Sequence, residues 1–318
     1  MPVSVPAREA PDPRTSGVLS AAVASTFVFS AAAAVPFLLP LGMVSPLPII
    51  VLRMRGHLGA ALLSTLLAAG LIGAVFTPRE AMLYLAVLAA PGLLMGEAMA
   101  RGRGLRRGCA WAFALLSVEL GLALLFAGPF MESVALAPFV RWSSPGFQAD
   151  MRARGLSAEQ VEDFVQTFSA LRPVMEVVYP AMFVIGGALT VLANATLLGR
   201  YLARRDPGWL DGGEFEDIRW PLGLTVVFVA AGLAVLAPVL RPAAYNVLLV
   251  LAFFYALQGF AVVAYYGRRL AAPTLLRIVV MVLVLINPWA PQILGLIGLF
   301  DTWFDFRKWA QPPEEIKR

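Results

Sequence analysis

Residues 58–76 read LGAALLSTLLAAGLIGAVF, a run without a single charged side chain. A helix needs about 20 mostly apolar residues to cross the hydrocarbon core of a bilayer. This stretch therefore predicts a transmembrane helix. Similar apolar blocks occur along the rest of the chain, near 17–39, 44–52, 81–99, 109–130, 174–199, 220–240, 243–267 and 274–300.

The composition of the whole chain supports a membrane protein. Of its 318 residues, 59% are apolar and 14% are charged, whereas a soluble domain has about 45–50% and about 25%. These values exclude an ordinary soluble domain, a disordered chain and a basic nucleic-acid module. We predict an all-α bundle of about eight transmembrane helices, forming one domain over 17–309 between a disordered tail (1–16) and a polar tail (310–318).

The block at 44–52 is too short to cross a bilayer alone. Prolines punctuate it and the residues before it, at Pro36, Pro40, Pro46 and Pro48. We therefore predict a broken or re-entrant stretch over 36–52, attached to the first helix. Because lipid does not tolerate irregular backbone, this stretch should lie among helices or line a cavity.

Arginines orient the chain in the membrane. They cluster in alternate loops, and cytoplasmic loops carry the excess of basic residues. The loops with this excess contain Arg53, Arg55, Arg101, Arg103, Arg106, Arg107, Arg200, Arg204, Arg205, Arg268 and Arg269. We expect a multi-pass protein of the bacterial inner (cytoplasmic) membrane, with these loops in the cytoplasm and the 131–172 loop outside.

The 131–172 loop contains one amphipathic helix. Ser157 and Gln160 have the spacing of a capping box. The apolar residues that follow, up to Leu171, share one helix face, and Pro173 is expected to separate this helix from the next span. The helix is either a lid over an outward cavity or a connector at the outer surface.

The chain lacks the motifs of common enzymes. It has no P-loop motif, no G-x-S-x-G motif, and only one cysteine (Cys109) and one histidine (His57). A lone cysteine excludes an intramolecular disulfide and a multi-cysteine metal site. We expect no catalytic residue, no metal and no cofactor, and the protein is not predicted to be an enzyme.

Four polar side chains are candidates for ligand binding. Glu119 lies near the middle of the 109–130 span, where a charged group costs about 2.5–3.5 kcal/mol on insertion scales. It is either a ligand or proton-coupling group or a buried structural residue. Asn194, Gln258 and Asn287 either line a polar cavity or join helices through hydrogen bonds.

Small residues form a column on the first helix. Ala22, Thr26, Ser30 and Ala34 recur every four residues, and such columns let another helix approach closely. The column is either a docking face for a partner membrane subunit or an internal packing face.

The C-terminal stretch LFDTWFDFRK (299–308) is the most distinctive motif. Its residues Asp301, Asp305, Arg307 and Lys308 follow the last apolar block, and they resemble the YybS-like family of predicted bacterial membrane proteins, a domain of unknown function. The proline-rich stretch after the first span and the residues 254–259 agree with this family. The resemblance covers about 17–309.

The resemblance implies a function, because the family is distantly similar to substrate-binding subunits of energy-coupling-factor transporters. Those subunits are helical membrane proteins that dock a transmembrane coupling subunit through small residues on their first helix. It therefore implies a small-molecule binding or carrier subunit, partnered by a coupling subunit and ATPases. This chain departs from them in having about eight spans rather than six. The alternative is a non-transporting scaffold in cell-envelope or division machinery.

Overall fold

The computed structural model describes residues 15–34, 39–205, 215–270 and 290–309, with isolated residues between 271 and 289. All regular secondary structure in these ranges is helical. The chain divides into two compact units, Met1–Phe126 with Gly186–Gly213 and Ala127–Ile185 with Glu214–Arg318. The predicted tails lie outside the described residues, apart from Thr15 and Ser16. The predicted domain boundaries stay predictions.

Within the described residues, five helical segments are long and apolar enough to cross a membrane. They are Leu58–Val75, Pro78–Ala100, Gly104–Trp142, Ala158–Arg205 and Arg241–Arg269. Two shorter apolar helices cover Gly17–Ala31 and Leu222–Ala234. The all-helical, multi-pass membrane class is confirmed, and the number of about eight spans stays a prediction.

In the first unit, helix α1 (Thr15–Ala34) packs against helix α4 (Leu58–Val75). The Ser64 hydroxyl on α4 donates a hydrogen bond to the Val18 carbonyl at 3.1 Å. On α1, Ala22 and Ser25 are fully buried. The buried part of α1 therefore includes small side chains, of which Ala22 belongs to the column.

The next span consists of α5 (Pro78–Leu83), a π-helical turn (Tyr84–Ala89) and α6 (Ala90–Ala100). The π turn places the fully buried Tyr84 edge-on against Phe29 of α1, with ring centroids 5.6 Å apart. A π turn inside an α-helix widens the backbone locally.

The broken stretch after the first helix forms two short helices, α2 (Leu39–Gly42) and α3 (Leu47–Met54). Ile49 and Ile50 of α3 are fully buried. A Cβ atom added at Gly96 of α6 would lie 2.9 Å from the Arg53 Cβ of α3, so the two helices approach closely. The interruption is confirmed, and α3 lies among helices as the bilayer requires.

Helix α7 (Gly104–Trp142) contains one kink. Ala127 has φ −136° and ψ 31°, which are not helical values. Pro129 follows two residues later, and proline removes a backbone donor and crowds the preceding turn. The proline therefore accounts for the kink.

The capping box at the start of helix α9 (Ala158–Arg205) is confirmed. The Gln160 N–H donates to the Ser157 hydroxyl at 3.1 Å, and the Ser157 N–H donates to Gln160 Oε1 at 2.9 Å. On the apolar face that follows, Val161 is buried and the Phe168 ring lies 4.4 Å from the Trp142 ring of α7. The short helix α8 (Pro145–Ala153) lies between α7 and α9. The chain itself therefore covers the start of the amphipathic face, whereas Leu171 at its end is 47% exposed.

The prediction that Pro173 separates the amphipathic helix from the next span is wrong. Helix α9 continues through both Pro173 and Pro180, because membrane helices tolerate proline where other groups satisfy the backbone. Beside Pro180, the side chain of Asn246 satisfies backbone groups of α9 in this way. Its Oδ1 accepts from the Ala181 N–H at 2.8 Å, and its Nδ2 donates to the Val177 carbonyl at 2.7 Å.

The second unit also contains a 3₁₀ turn (Phe215–Asp217), α10 (Leu222–Ala234), α11 (Arg241–Arg269), α12 (Ala290–Phe304) and α13 (Phe306–Trp309). Helices α11 and α12 meet backbone to backbone at Gly259 and Gly298. A Cβ atom at Gly259 would overlap the Leu294 carbonyl oxygen, and one at Gly298 would overlap the Tyr255 carbonyl oxygen. No side chain fits at either position.

Candidate functional site

Glu119 lies on α7 in the first unit, and its side chain turns away from the exposed residues beside it. Val118 and Leu122 are 58% and 51% exposed, whereas Glu119 Oε2 is buried. Among the described residues, this oxygen has no hydrogen-bond partner. An intramembrane carboxylate with one buried oxygen that lacks a partner is a candidate contact for a ligand or a proton.

Asn194 joins α9 to the broken stretch. It is buried, and its Nδ2 donates to the Met43 carbonyl at 2.7 Å and to the Thr190 carbonyl at 2.9 Å. Its Oδ1 is buried without a partner among the described residues. A cavity of about 10 Å³ beside it, also lined by Pro46 and Ile50, has room for about one water molecule. The amide thus holds two elements together beside a water-sized space.

Gln258, predicted either to line a polar cavity or to join helices, is part of a buried polar cluster in the second unit. Its Oε1 accepts from the Trp220 N–H at 2.9 Å, and its Nε2 donates to Asp301 Oδ2 at 2.8 Å. The side chain is 1% exposed. Both polar atoms of Gln258 are therefore used within the protein.

Two residues of the family-like motif, Asp301 and Arg307, belong to this cluster. Asp301 Oδ2 also accepts from Arg307 Nη2 at 3.2 Å, and Asp301 Oδ1 accepts from the Phe306 N–H at 3.0 Å. Arg307 donates to the Glu216 carbonyl at 2.6 Å and to the Ile218 carbonyl at 2.8 Å. The side chains of Asp301 and Arg307 are 1% and 3% exposed. We call Gln258, Asp301 and Arg307 the C-terminal lock, since they fasten α12 and α13 to α11 and to the residues before α10.

Asp305 and Lys308 lie at the rim of the lock. Asp305 ends α12 in the left-handed region, with φ 45° and ψ 64°. Its Oδ2 accepts from Arg219 Nη1 at 2.7 Å and lies 3.1 Å from Lys308 Nζ. The motif therefore combines a buried ion pair with an outer, partly exposed one.

The ion pairs of Asp305 make the stability of the fold depend on pH. Burial raises the pKa of the Asp305 carboxyl, but hydrogen bonds and charges from Lys308 and Arg219 outweigh it and hold the pKa below its ordinary value. A lowered carboxyl pKa stabilises the fold above the unfolded pKa of about 3.9, and the gain is lost as the pH falls through the folded pKa.

Asp305→Asn should therefore destabilise the protein by about 1 kcal/mol or less near pH 7, because the side chains of its cationic partners, Arg219 and Lys308, are 48% and 64% exposed. Asparagine tolerates the left-handed backbone, so the change is mainly one of charge. Thermal unfolding of both proteins from pH 7 to about pH 3 should show the difference shrinking with acidity. A difference that does not change with pH would contradict the ionic role of Asp305.

Asn287 lies in the partly described segment before α12. It is exposed, and its Oδ1 accepts from the Trp289 N–H at 2.9 Å. This contact is a local turn of the kind that asparagine favours. Among the described residues, no group of three or more His, Cys, Asp or Glu side chains could hold a metal ion.

The residues of the small-residue column on α1 differ in burial. Ala22 is fully buried, whereas Thr26 and Ser30 are half-buried, and Thr26 donates to the Ala22 carbonyl at 2.9 Å. The side chain of Ala34 lies outside the described residues. Docking of a partner at this column stays a prediction.

Sequence reasoning missed an ion pair between α3 and α6. The spacing of Glu97 and Arg101 indicates an i,i+4 pair, which the structure contains at 2.6 Å. Arg53, 44 residues before Glu97, also binds this carboxylate, with Nε 2.5 Å from Oε2. The position of Arg53 at the end of an apolar stretch was the available signal, but it did not indicate the partner.

Comparison with known proteins matches most of the chain to one family. The model of DUF2232, described as a predicted membrane protein, matches residues 22–302. No curated protein and no solved structure matches the chain.

Proposed function

The chain belongs to the DUF2232 family of predicted membrane proteins, and we propose that it is a binding or carrier subunit for a small molecule. Because the sequence has no P-loop motif, this proposal assigns ATP hydrolysis to separate partners, together with a transmembrane coupling subunit. The inner membrane is the expected location.

The buried oxygen of Glu119 is the main support for this proposal. Glu119 Oε2 is buried within a candidate span and has no hydrogen-bond partner among the described residues. A buried acceptor without a partner costs about 1–3 kcal/mol, and more when it is charged. A ligand that carries a positive charge or several N–H or O–H donors would supply the missing partner.

The other polar candidates support this assignment less. Gln258 and Asn287 use their side chains within the second unit. Asn194 lies in the first unit but donates to two backbone carbonyls, and the space beside it is water-sized. The proposal therefore uses Glu119 as the ligand contact.

Glu119→Gln should abolish ligand retention, because the amide removes the negative charge and keeps the shape. The matched control is Glu132→Gln, the same change at an exposed position of the same helix. Each protein is purified in mild detergent, and the small molecules released on denaturation are identified by mass spectrometry. We expect one compound with the unmodified protein and with Glu132→Gln, and at least about tenfold less with Glu119→Gln, the equivalent of 1.4 kcal/mol.

Two results of this experiment would contradict the proposal. Equal retention by Glu119→Gln would remove Glu119 from the site. Failure of the unmodified protein to retain any compound above the level of an unrelated membrane protein would argue against a binding subunit.

The same purification identifies partners. A coupling subunit with ATPases should co-elute if the chain is a carrier subunit. Division or wall-synthesis proteins without an ATPase module would contradict the carrier role and favour the scaffold.

A further inference from the structure

A groove on the first unit combines an apolar wall with a charged end. Its volume is about 280 Å³, and it lies between α4, α6 and α7. Arg53 and Glu97 provide its polar lining. Its apolar wall consists of Leu58, Leu62, Ala90, Leu93, Leu94 and Leu115. The lining is thus mostly apolar, with one ion pair between Arg53 and Glu97.

The ion pair in the groove lining has a net positive charge once Arg101, which binds Glu97 from outside the lining, is included. Glu97 binds two arginines, Arg53 through Oε2 and Arg101 through Oε1. One carboxylate cannot neutralise two guanidinium groups, so the three side chains together carry +1. The Arg53 side chain is 11% exposed, whereas that of Arg101 is 61% exposed. Arg101 therefore presents the excess charge outward.

The surroundings of this end are also basic. Further exposed arginines of the first unit follow α3, precede α7 or lie in the first turn of α7, namely Arg55, Arg103, Arg106 and Arg107. The arginine excess predicts that these loops face the cytoplasm. The cytoplasmic leaflet carries anionic headgroups, which basic pockets between membrane helices bind.

We propose that this groove binds one anionic phospholipid, with an acyl chain along the leucines and the phosphate at Arg101. The net charge of +1 beside the apolar wall favours an anionic lipid, which offers an acyl chain and a negative headgroup together. This inference does not involve Glu119 and does not rest on the carrier role.

Lipid-dependent thermal unfolding tests this inference. The purified full chain in neutral detergent is titrated with phosphatidylglycerol or with phosphatidylcholine of the same acyl chains. A ligand that binds only the folded state raises the unfolding temperature. We expect phosphatidylglycerol to raise it more than phosphatidylcholine, and native mass spectrometry to show one tightly held phosphatidylglycerol per chain.

Two pairs of variants locate the lipid. Leu62→Trp fills the groove from a position that is 44% exposed, and Leu66→Trp makes the same change one turn away at a position that is 64% exposed. Leu62→Trp should weaken phosphatidylglycerol binding at least about tenfold, the equivalent of 1.4 kcal/mol, and Leu66→Trp should not.

The second pair tests the headgroup. Arg101→Gln removes the outward charge, and Arg154→Gln breaks a similar i,i+4 pair with Asp150 in the second unit. Arg101→Gln should weaken phosphatidylglycerol binding about fivefold, since one arginine near a membrane surface contributes about 1 kcal/mol. Arg154→Gln should leave this binding unchanged.

Several results would overturn the inference. Equal stabilisation by both lipids would mean that the groove holds acyl chains without reading the headgroup. Equal stabilisation by glycerol phosphate alone would indicate a site for a free anion. Unchanged phosphatidylglycerol binding by Leu62→Trp would place the lipid elsewhere, and a partner protein cross-linked through residue 62 in native membranes would show that a protein covers the groove.

Discussion

Replacing Gly298 with alanine is expected to destabilise the second unit by about 3 kcal/mol or more. The added Cβ would overlap the Tyr255 carbonyl oxygen and lie 2.7 Å from the Gly259 backbone nitrogen. Overpacking of a well-packed site costs about 1–3 kcal/mol, and here the obstacle is the backbone of a helix, which cannot rotate away. Helices α11 and α12 must therefore separate. Thermal unfolding in detergent should show a decrease of about 6 °C or more.

Gly295→Ala is the matched control for this prediction. It introduces the same methyl group on the same helix, but its Cβ would lie 3.6 Å from the Ala252 carbonyl oxygen, an ordinary contact. Since alanine favours helix by about 0.5–1 kcal/mol over glycine, the control should be neutral or slightly stabilising. Similar losses in both variants would contradict a backbone-to-backbone contact at Gly298.

Local signals in the sequence predicted local structure correctly. Ser157 and Gln160 are three residues apart, and a capping box needs only these two side chains and the backbone between them. The prolines of 36–52 likewise predicted the interruption that α2 and α3 form. Apolar runs predicted helices, because a membrane leaves the backbone few other choices.

Contacts between distant residues could not be predicted in this way. Arg53 and Glu97 are 44 residues apart, and Asp301 and Gln258 are 43 apart. A single sequence shows that such residues are polar in apolar surroundings, but it does not show which of them meet. The predicted helix break at Pro173 was wrong for the same reason, since a helix continues through proline only if its tertiary surroundings permit it.

The residues of the C-terminal motif could be recognised from the sequence, but their contacts could not. The sequence predicted that Asp301, Asp305, Arg307 and Lys308 form one family-like motif. The family is confirmed over residues 22–302, which include Asp301 and end before the other three. Their contact with Gln258, 43 residues before Asp301, depends on the packing of α11 against α12. The sequence left two roles open for Gln258, lining a cavity or joining helices, because a buried amide has the same pattern in sequence whether its partner is a ligand or the protein.

Asp301→Ala should destabilise the protein by about 3–5 kcal/mol, the cost of leaving a buried charge without its partner. The change removes the carboxylate that binds Arg307, Gln258 and the Phe306 N–H. The control is Asp150→Ala, which breaks an exposed pair with Arg154 and should cost about 0.5 kcal/mol or less. Thermal unfolding of the full chain in detergent measures both variants.

A double-mutant cycle separates the buried charge from the other contacts of Asp301. If the unpaired Arg307 causes most of the loss, Arg307→Met should restore part of the stability of Asp301→Ala, because the second change removes the isolated charge. The two changes would then be less than additive by about 1 kcal/mol or more. Strict additivity would mean that Asp301 acts through Gln258 and the Phe306 N–H, and that the ion pair contributes little to the C-terminal lock.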